Sequence, residues 1–270
     1  MGILSAAVAA AATAALERAA EKLPKENRAP FQRTNHRGES VTLLEGPIAV
    51  LGALAGVAAA GKTPGKVKAA AILAGSVSGA VGAYDDLRGT TQAKGFRGHL
   101  SALKRGEVTS GAVKILGVGA AGLAAAALLP RKSTGAKALA GVVADGALIA
   151  GTANLTNLLD LRPGRALKAV AAVNAPLAAV NGPAGAVVGA AVASAPSDLG
   201  ERSMLGDCGA NGLGAITGTA LAASLPRPLK TLALAAVVAL NLASEKVSFT
   251  KVIAENPVLD KIDQWGRRPR

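Results

Sequence analysis

GTANLTNLLDLRPGR, residues Gly151–Arg165, closes a long apolar run, and three polar side chains arrive in it at Asn154, Asn157 and Asp160. Spacings of three put them on roughly one face of a helix, with Leu155, Leu158 and Leu159 turned away. Pro163 and Gly164 then stop the helix. Two amides and a carboxylate where an apolar helix leaves a bilayer can hold a hard cation through oxygen ligands. Polar capping of an ordinary helix end explains the same residues equally well. The chain's other acidic clusters decide between the two.

Working outward, half of the 270 residues are hydrophobic, 33 are glycine and only 2% are aromatic. Mean hydropathy is +0.37. Apolar runs of about 15–20 residues recur from end to end, the length that spans a bilayer as helix. Alternating strand patterns are absent, so the expected fold class is all-α, a polytopic transmembrane helical bundle. The net charge of +13 lies in the connectors, and the chain has almost no aromatics to stack bases, which argues against nucleic acid as a partner. Attraction to anionic headgroups and positive-inside asymmetry explain the charge better. The single cysteine, Cys208, excludes an intrachain disulfide and a Cys-rich metal site.

The runs predict about nine spans, near 3–20, 45–60, 67–83, 110–129, 136–153, 166–181, 184–196, 213–225 and 229–243. The first has no basic leader and reads as a span, not a cleaved signal. Residues 1–243 then form one membrane domain and 244–270 a cytoplasmic tail. Connectors alternate between two faces. One face holds 21–44, 84–109, 154–165, 197–212 and the tail, with most of the Lys and Arg. That face is therefore cytoplasmic, and the N-terminus outside. Gly52/Gly56, Gly75/Gly79, Gly185/Gly189 and Gly214/Gly218 are each four apart, a spacing that lets helices approach closely in lipid. Gly117, Gly119 and Gly122 spell GxGxxG, but inside a span, where helix packing is the expected role. Lys114 and Asp145 also fall inside spans and are expected to pair, since intramembrane charges are costly alone.

The cytoplasmic connectors carry the chemistry. Asp85 and Asp86 follow a span directly, and adjacent carboxylates there call for a cation or basic partners. Lys94, Arg97, Lys104 and Arg105 follow, suited to phosphate oxygens. Asp207 sits between Gly206 and Gly209 just before a span, where glycines permit a ligand's approach. RTNHRGESVTLLEGP at 33–47 offers Asn35, His36, Arg37 and Glu45. His36 and His99 are the only histidines, and no zinc-site spacing includes them.

Taken in order, these four stretches resemble the polyprenyl-phosphate N-acetylhexosamine-1-phosphate transferase family, which includes the phospho-N-acetylmuramoyl-pentapeptide transferases. RTNHRGESVTLLEGP looks like its first cytoplasmic loop, Asp85-Asp86 like its DD motif, NLTNLLD at 154–160 like NAxNxxD, and MLGDCGANGLG at 204–214 like MGDxGSxxLG. The resemblance covers roughly residues 33–250. It implies Mg²⁺-dependent transfer of a sugar-1-phosphate from a UDP-sugar to a polyprenyl phosphate, with release of UMP, at the inner membrane. It implies Asn157 and Asp207 as Mg²⁺ ligands, Asp85, Asp86 and Asp160 as catalytic residues, and Asn35, Arg37, Lys94, Asn154 and Met204 as substrate-binding ones. Met204 falls where the family often places an aromatic beneath the uracil. A homodimer is compatible with the family, although no heptad pattern argues for one.

The chain also departs from the family. After Asp160 the family continues GxDGL, whereas this sequence reads LRPGR, and the His-rich late loop of many members has no counterpart in the tail. Those stretches bear on sugar and pyrophosphate recognition, so the resemblance leaves the sugar unnamed. Two other classes stay open: a non-catalytic membrane scaffold that binds lipid phosphate or a partner protein, and a small transporter. Minimal outer loops and acids gathered on one face disfavour transport.

Overall fold

The computed structural model describes residues 2–35, 37–89, 105–106 and 109–269. Helix α1 (Gly2–Glu21) leads through a short helix α2 (Lys25–Arg28) into a hairpin of β1 (Gln32–Thr34) and β2 (Ser40–Thr42). There follow α3 (Glu45–Ala58), α4 (Gly65–Arg88), α5 (Ser110–Leu128), α6 (Gly135–Leu159) and α7 (Arg165–Asn174). Then come α8 (Gly182–Leu199), α9 (Gly206–Ser224), α10 (Arg227–Ser244), and the short helices α11 (Phe249–Glu255) and α12 (Pro257–Gln264). The all-α architecture expected from hydropathy is what forms, with the small hairpin as its one sheet among the described residues.

Each apolar run falls on a helix, but among the described residues α1, α4, α5 and α6 alone are long and apolar enough to cross a bilayer. The pair α10 and α11 meets the same test jointly, with a 99° bend between them. The count of about nine spans therefore exceeds what helix length and composition carry. The reasons are local. Helix α3 has 14 residues and α7 only 10. Pro196, Ser197 and Asp198 end α8, and α9 begins on Gly206-Asp207. Both α8 and α9 are largely enclosed by other helices, so they need not match lipid themselves. Long apolar side chains instead point outward from α1, α5, α6 and α10, Ile3, Leu116, Leu139 and Leu232 among them, as membrane helices require.

Helix α9 is the centre of the bundle. Almost every one of its residues is buried, and it packs on α3, α4, α6 and α8. Its sequence, GDCGANGLGAITGTALAAS, explains how four neighbours fit around one helix. A Cβ at Gly214 would lie 2.7 Å from Ala153 Cα, and one at Gly218 2.6 Å from Ile149 Cα, both on α6. The other three glycine pairs also sit at crossings, against backbone in some cases and side chains in others. Gly185 and Gly189 lie against the backbone of Gly2 and Ala6, Gly52 and Gly56 against Thr13 and Ser5, and Gly75 and Gly79 against Ile216 and Val50. Without a hydrophobic drive between helices in lipid, such close backbone contact is what holds them together. Gly117 and Gly122 of the GxGxxG stretch likewise pack on Val81 and on Gly146, as expected of helix-packing residues.

Two apolar clusters flank α9. Leu205, Leu213 and Ile216 join α1, α3, α7 and α8 on one side, and Ala215 and Ala222 join α4, α5, α6 and α10 on the other. Buried polar groups staple one end of the bundle: the one Ser5 hydroxyl proton is shared between the carbonyls of Gly56 and Gly182, and Asn181 Nδ2 donates to Ser224 Oγ. At the opposite end Glu45, Ser203, Asp86 and Asp207 come together.

Lys114 and Asp145 do not pair, contrary to expectation. Asp145 is held by Arg131 (2.7 Å) and Lys230 (3.0 Å), which reach inward from the α5–α6 connector and the start of α10. Lys114 is committed to acids at the other end of the bundle.

Because the packing is backbone against backbone, adding one methyl at the crossing should be costly. Gly218→Ala is expected to lower unfolding stability in detergent by about 1–3 kcal/mol. Gly119→Ala, whose Cβ meets nothing within 4 Å, should instead raise it by about 0.5 kcal/mol through helix propensity.

Candidate active site at one end of the bundle

The last turn of α4, the first turn of α5 and the first turn of α9 meet at one point. Gly82 makes this possible, since a Cβ there would stand 2.2 Å from the carbonyl oxygen of Asp207. Across the gap, Asp86 accepts from the backbone N–H groups of Asp207 (3.0 Å) and Cys208 (2.9 Å). A carboxylate at a helix start satisfies orphan amides and the helix dipole together. Gly206, with φ +59°, gives the chain the turn into α9 and lets Asp86 approach. The Asp86 carbonyl in turn accepts from the Arg33 guanidinium of β1.

Beside this cap, Lys114 of α5 sits between two acids, 3.0 Å from Asp85 Oδ2 and in a close ion pair with Asp207 Oδ2. Asn211, one turn further along α9, donates to the Asp207 carbonyl (2.8 Å). A cavity of about 560 Å³ opens next to Lys114, between α5, α6, α9 and α10. Asn154, Asn157, Asn211 and Asn241 supply its amides, while Ile115, Val118, Leu158 and Leu242 make much of the rest apolar. Asn157 thus shares a wall with Lys114, and through it with Asp85 and Asp207. Asn154 is tied to α10, its Nδ2 donating to Asn241 Oδ1 at 2.6 Å.

The expectation of one polar face for Asn154, Asn157 and Asp160 holds only for the first two. Helix α6 ends at Leu159, and Asp160 turns out of it with φ −78° and ψ 46°. Leu158, expected on the far side, lines the cavity with the asparagines. Asp160 instead faces a small neighbouring pocket shared with Asn35, Asp198, Glu201 and Met204. Burial, then the carboxylates of Asp198, Asp207 and Asp86, hold the Asp160 carboxyl well above the usual range, opposed by the Gly206 amide.

The hairpin forms the rim of this pocket. Asn35 does not reach outward. Its Oδ1 accepts from the N–H groups of Arg37 and Glu39, and its Nδ2 donates to Glu39 and Glu201. Arg37 pairs with Glu201 at 3.0 Å. Met204 is pinned by its N–H to the Thr42 carbonyl (3.0 Å). Glu45 is buried and accepts from Ser203 Oγ, so it braces the loop. Lys94, Arg97, Lys104, His36 and His99 lie outside the described residues. Among the described residues, no three His, Cys, Asp or Glu side chains gather as a ready metal cluster. The oxygen donors the site offers are Asp85, Asp207 and the amides across the cavity.

Reading the sequence alone left several site residues without a role. Lys114 is the exception: as a charge about one turn from the end of an apolar run it is within reach of the site in the sequence, and only its pairing with Asp145 fails. Asn241 is the lone amide in VVALNLAS, and Asn211 lies within the GDCGANG stretch. Asp198 carried no signal. It is buried and accepts from the Gly164 N–H (3.1 Å) at the start of α7.

The tail closes over the same end. Arg165 donates two bonds to Asp263 (2.8 and 2.9 Å), and Arg267 Nε donates to the Pro163 carbonyl (2.8 Å). Compared with models of known protein families and with curated protein sequences, the chain matches none.

The Arg165–Asp263 clamp has a pH signature. Burial pushes the Asp263 carboxyl up, but the hydrogen bonds and charge of Arg165, then Arg267 and Lys168, outweigh it and hold the group below its usual range. A carboxyl depressed on folding contributes stability above its unfolded pKa of about 3.9 and loses it as pH falls further. The expected outcome is that proteolysis or hydrogen exchange of residues 249–269, slow at pH 7, accelerates below about pH 4. Asp263→Asn should be fast already at pH 7.

Proposed function

We propose that this protein transfers a sugar-1-phosphate from a UDP-sugar to a polyprenyl phosphate at the cytoplasmic face of the cell membrane. The observation that carries this is the Asp85–Lys114–Asp207 bridge, capped by Asp86, at the mouth of a cavity that is apolar on one side and amide-lined on the other. In this reading about nine helical runs associate with the bilayer, the N-terminus is outside, and the long connectors are cytoplasmic.

The chemistry follows from the side chains. An oxygen of the lipid phosphate attacks the β-phosphorus of the donor, and the bond from that phosphorus to the bridging oxygen breaks. UMP leaves, and a lipid pyrophosphate sugar remains. A phosphate monoester is already largely ionised at neutral pH, so no side chain need remove a proton from it. Asp85 then serves to orient Lys114 and not as a base. The Lys114 ammonium can turn from Asp85 toward a phosphate oxygen entering the cavity, offsetting its charge. Ile115, Val118 and Leu242 suit the first isoprene units. Asp160 and Met204 line the pocket assigned to the donor, with Asn35 and Arg37 holding its rim.

Asp207 and Asn157 fit a hard cation, as a carboxylate and an amide oxygen beside a partly apolar cavity. Mg²⁺ held there would offset charge on the diphosphate and the leaving UMP. Asp86 supports that site by fixing the Asp207 backbone.

One observation favours a second reading. Lys114 already bridges Asp85 and Asp207 in a closed ion-pair chain, an arrangement that also suits a scaffold that binds a lipid phosphate without turning it over.

The two readings separate in one assay. Purified protein with undecaprenyl phosphate, Mg²⁺ and a panel of UDP-sugars is expected to release UMP, and Asp207→Ala should cut turnover at least about a hundredfold, a barrier change near 2.7 kcal/mol. No UMP from any donor, with a folded protein, would favour the scaffold. An active Asp207→Ala would remove the site assignment.

A further inference from the structure

Beyond the Asp160 pocket lies a larger cavity, about 430 Å³, roofed by the C-terminal tail. Five arginines line it: Arg37, Arg162, Arg165, Arg267 and Arg268. They come from three separate parts of the chain, namely the hairpin turn, the α6–α7 junction and the tail. The acids that line it are three, Glu201, Asp260 and Asp263. Five positive against three negative leaves the wall with a formal excess of two positive charges.

Two of the acids act as braces, while Asp260 accepts from Gln264 Nε2 (3.2 Å). Asp263 is gripped by Arg165 and also by Arg267 (2.5 Å), and Glu201 by Arg37. Arg268 is anchored from outside by Glu39 at 2.8 Å. Arg162 differs from the other four. Among the described residues its guanidinium donates only to the adjacent Leu161 carbonyl (2.9 Å). It carries further N–H groups than that one bond uses. Gathering guanidinium groups at one cavity costs free energy unless an anion joins them. Burial first, and then Arg165 and Arg162 against the pull of Asp263, push Arg267 below the usual guanidinium range.

We propose that this cavity is an anion-binding subsite for a carboxylate or phosphate group. Planar guanidinium forks match those groups with paired, charge-assisted hydrogen bonds. Arg162, Pro163 and Glu201 line both this cavity and the Asp160–Met204 pocket, so one molecule can extend from one into the other. The anion's source is therefore an acidic substituent on the sugar of the donor, an assignment that rests on the transferase reading above. A free small anion has the same chemistry and is the alternative source.

Calorimetric titration of the full-length protein in detergent distinguishes them, using UDP-glucuronate, UDP-glucose and inorganic phosphate as probes. A donor-borne anion predicts UDP-glucuronate binding at least about tenfold tighter than UDP-glucose, the scale of one charge-assisted bond. Arg162→Gln and, separately, Arg268→Gln should collapse that ratio toward one. Equal binding of the two UDP-sugars, with phosphate binding that Arg162→Gln weakens, keeps the subsite and makes its ligand a free anion. Phosphate binding that Arg162→Gln weakens, with neither UDP-sugar bound, keeps the subsite and removes the donor sugar as the source of its anion. Equal binding of the two UDP-sugars together with no phosphate binding overturns the subsite and leaves the transferase reading standing.

Discussion

Asp86 accepts hydrogen bonds from two backbone N–H groups in the first turn of α9, and those bonds fasten the end of α4 to the start of the central helix. The bundle's functional end follows from that contact. Once α9 starts where Asp86 fixes it, Asp207 faces Lys114, and Lys114 reaches back to Asp85. The same start positions Asn211 along the cavity and brings Asp207 within electrostatic reach of Asp160. A carboxylate serving as a cap is also unavailable as a free base, which assigns the supporting role to Asp86 and the exposed chemistry to its neighbours.

The contact is available only because the helices are thin. Gly82, Gly214 and Gly218 let α4 and α6 approach α9 to distances a Cβ would forbid. A chain with this little aromatic and branched surface gains small increments from each contact and must collect many of them. The ordering of function along the molecule reflects this economy. One end is tied by side-chain bonds to helix carbonyls, such as Ser5 to Gly56 and Gly182. The other end collects charge, and the tail that covers it is held by Arg165 and Asp263.

Much of this was legible in the sequence, and the boundary has physical causes. Helix positions followed from apolar runs, and all four glycine pairs lie at crossings because spacing of four is a local, backbone property. The number of spans did not follow, because hydropathy cannot tell a helix wrapped in protein from one in lipid, and α9 is the former. The acids of separate connectors were readable as a group, since one face carries them. Their partners were not. Asp145 pairs with Arg131 and Lys230 because long basic side chains reach inward from connectors, a geometry that spacing does not encode. Asp160 leaves the asparagine face because α6 stops one residue before it. The Arg cavity needs the tail to fold back across 98 to 104 residues, which only the tertiary structure shows.

The convergence of α4 and α9 is the claim everything else requires, and cross-linking measures it directly. In a Cys208→Ala background, cysteines replacing Asp85 and Asp207 should join rapidly through a short bifunctional thiol reagent, in membranes and in detergent. A pair that stays unlinked while each cysteine reacts singly with the same reagent would contradict the account.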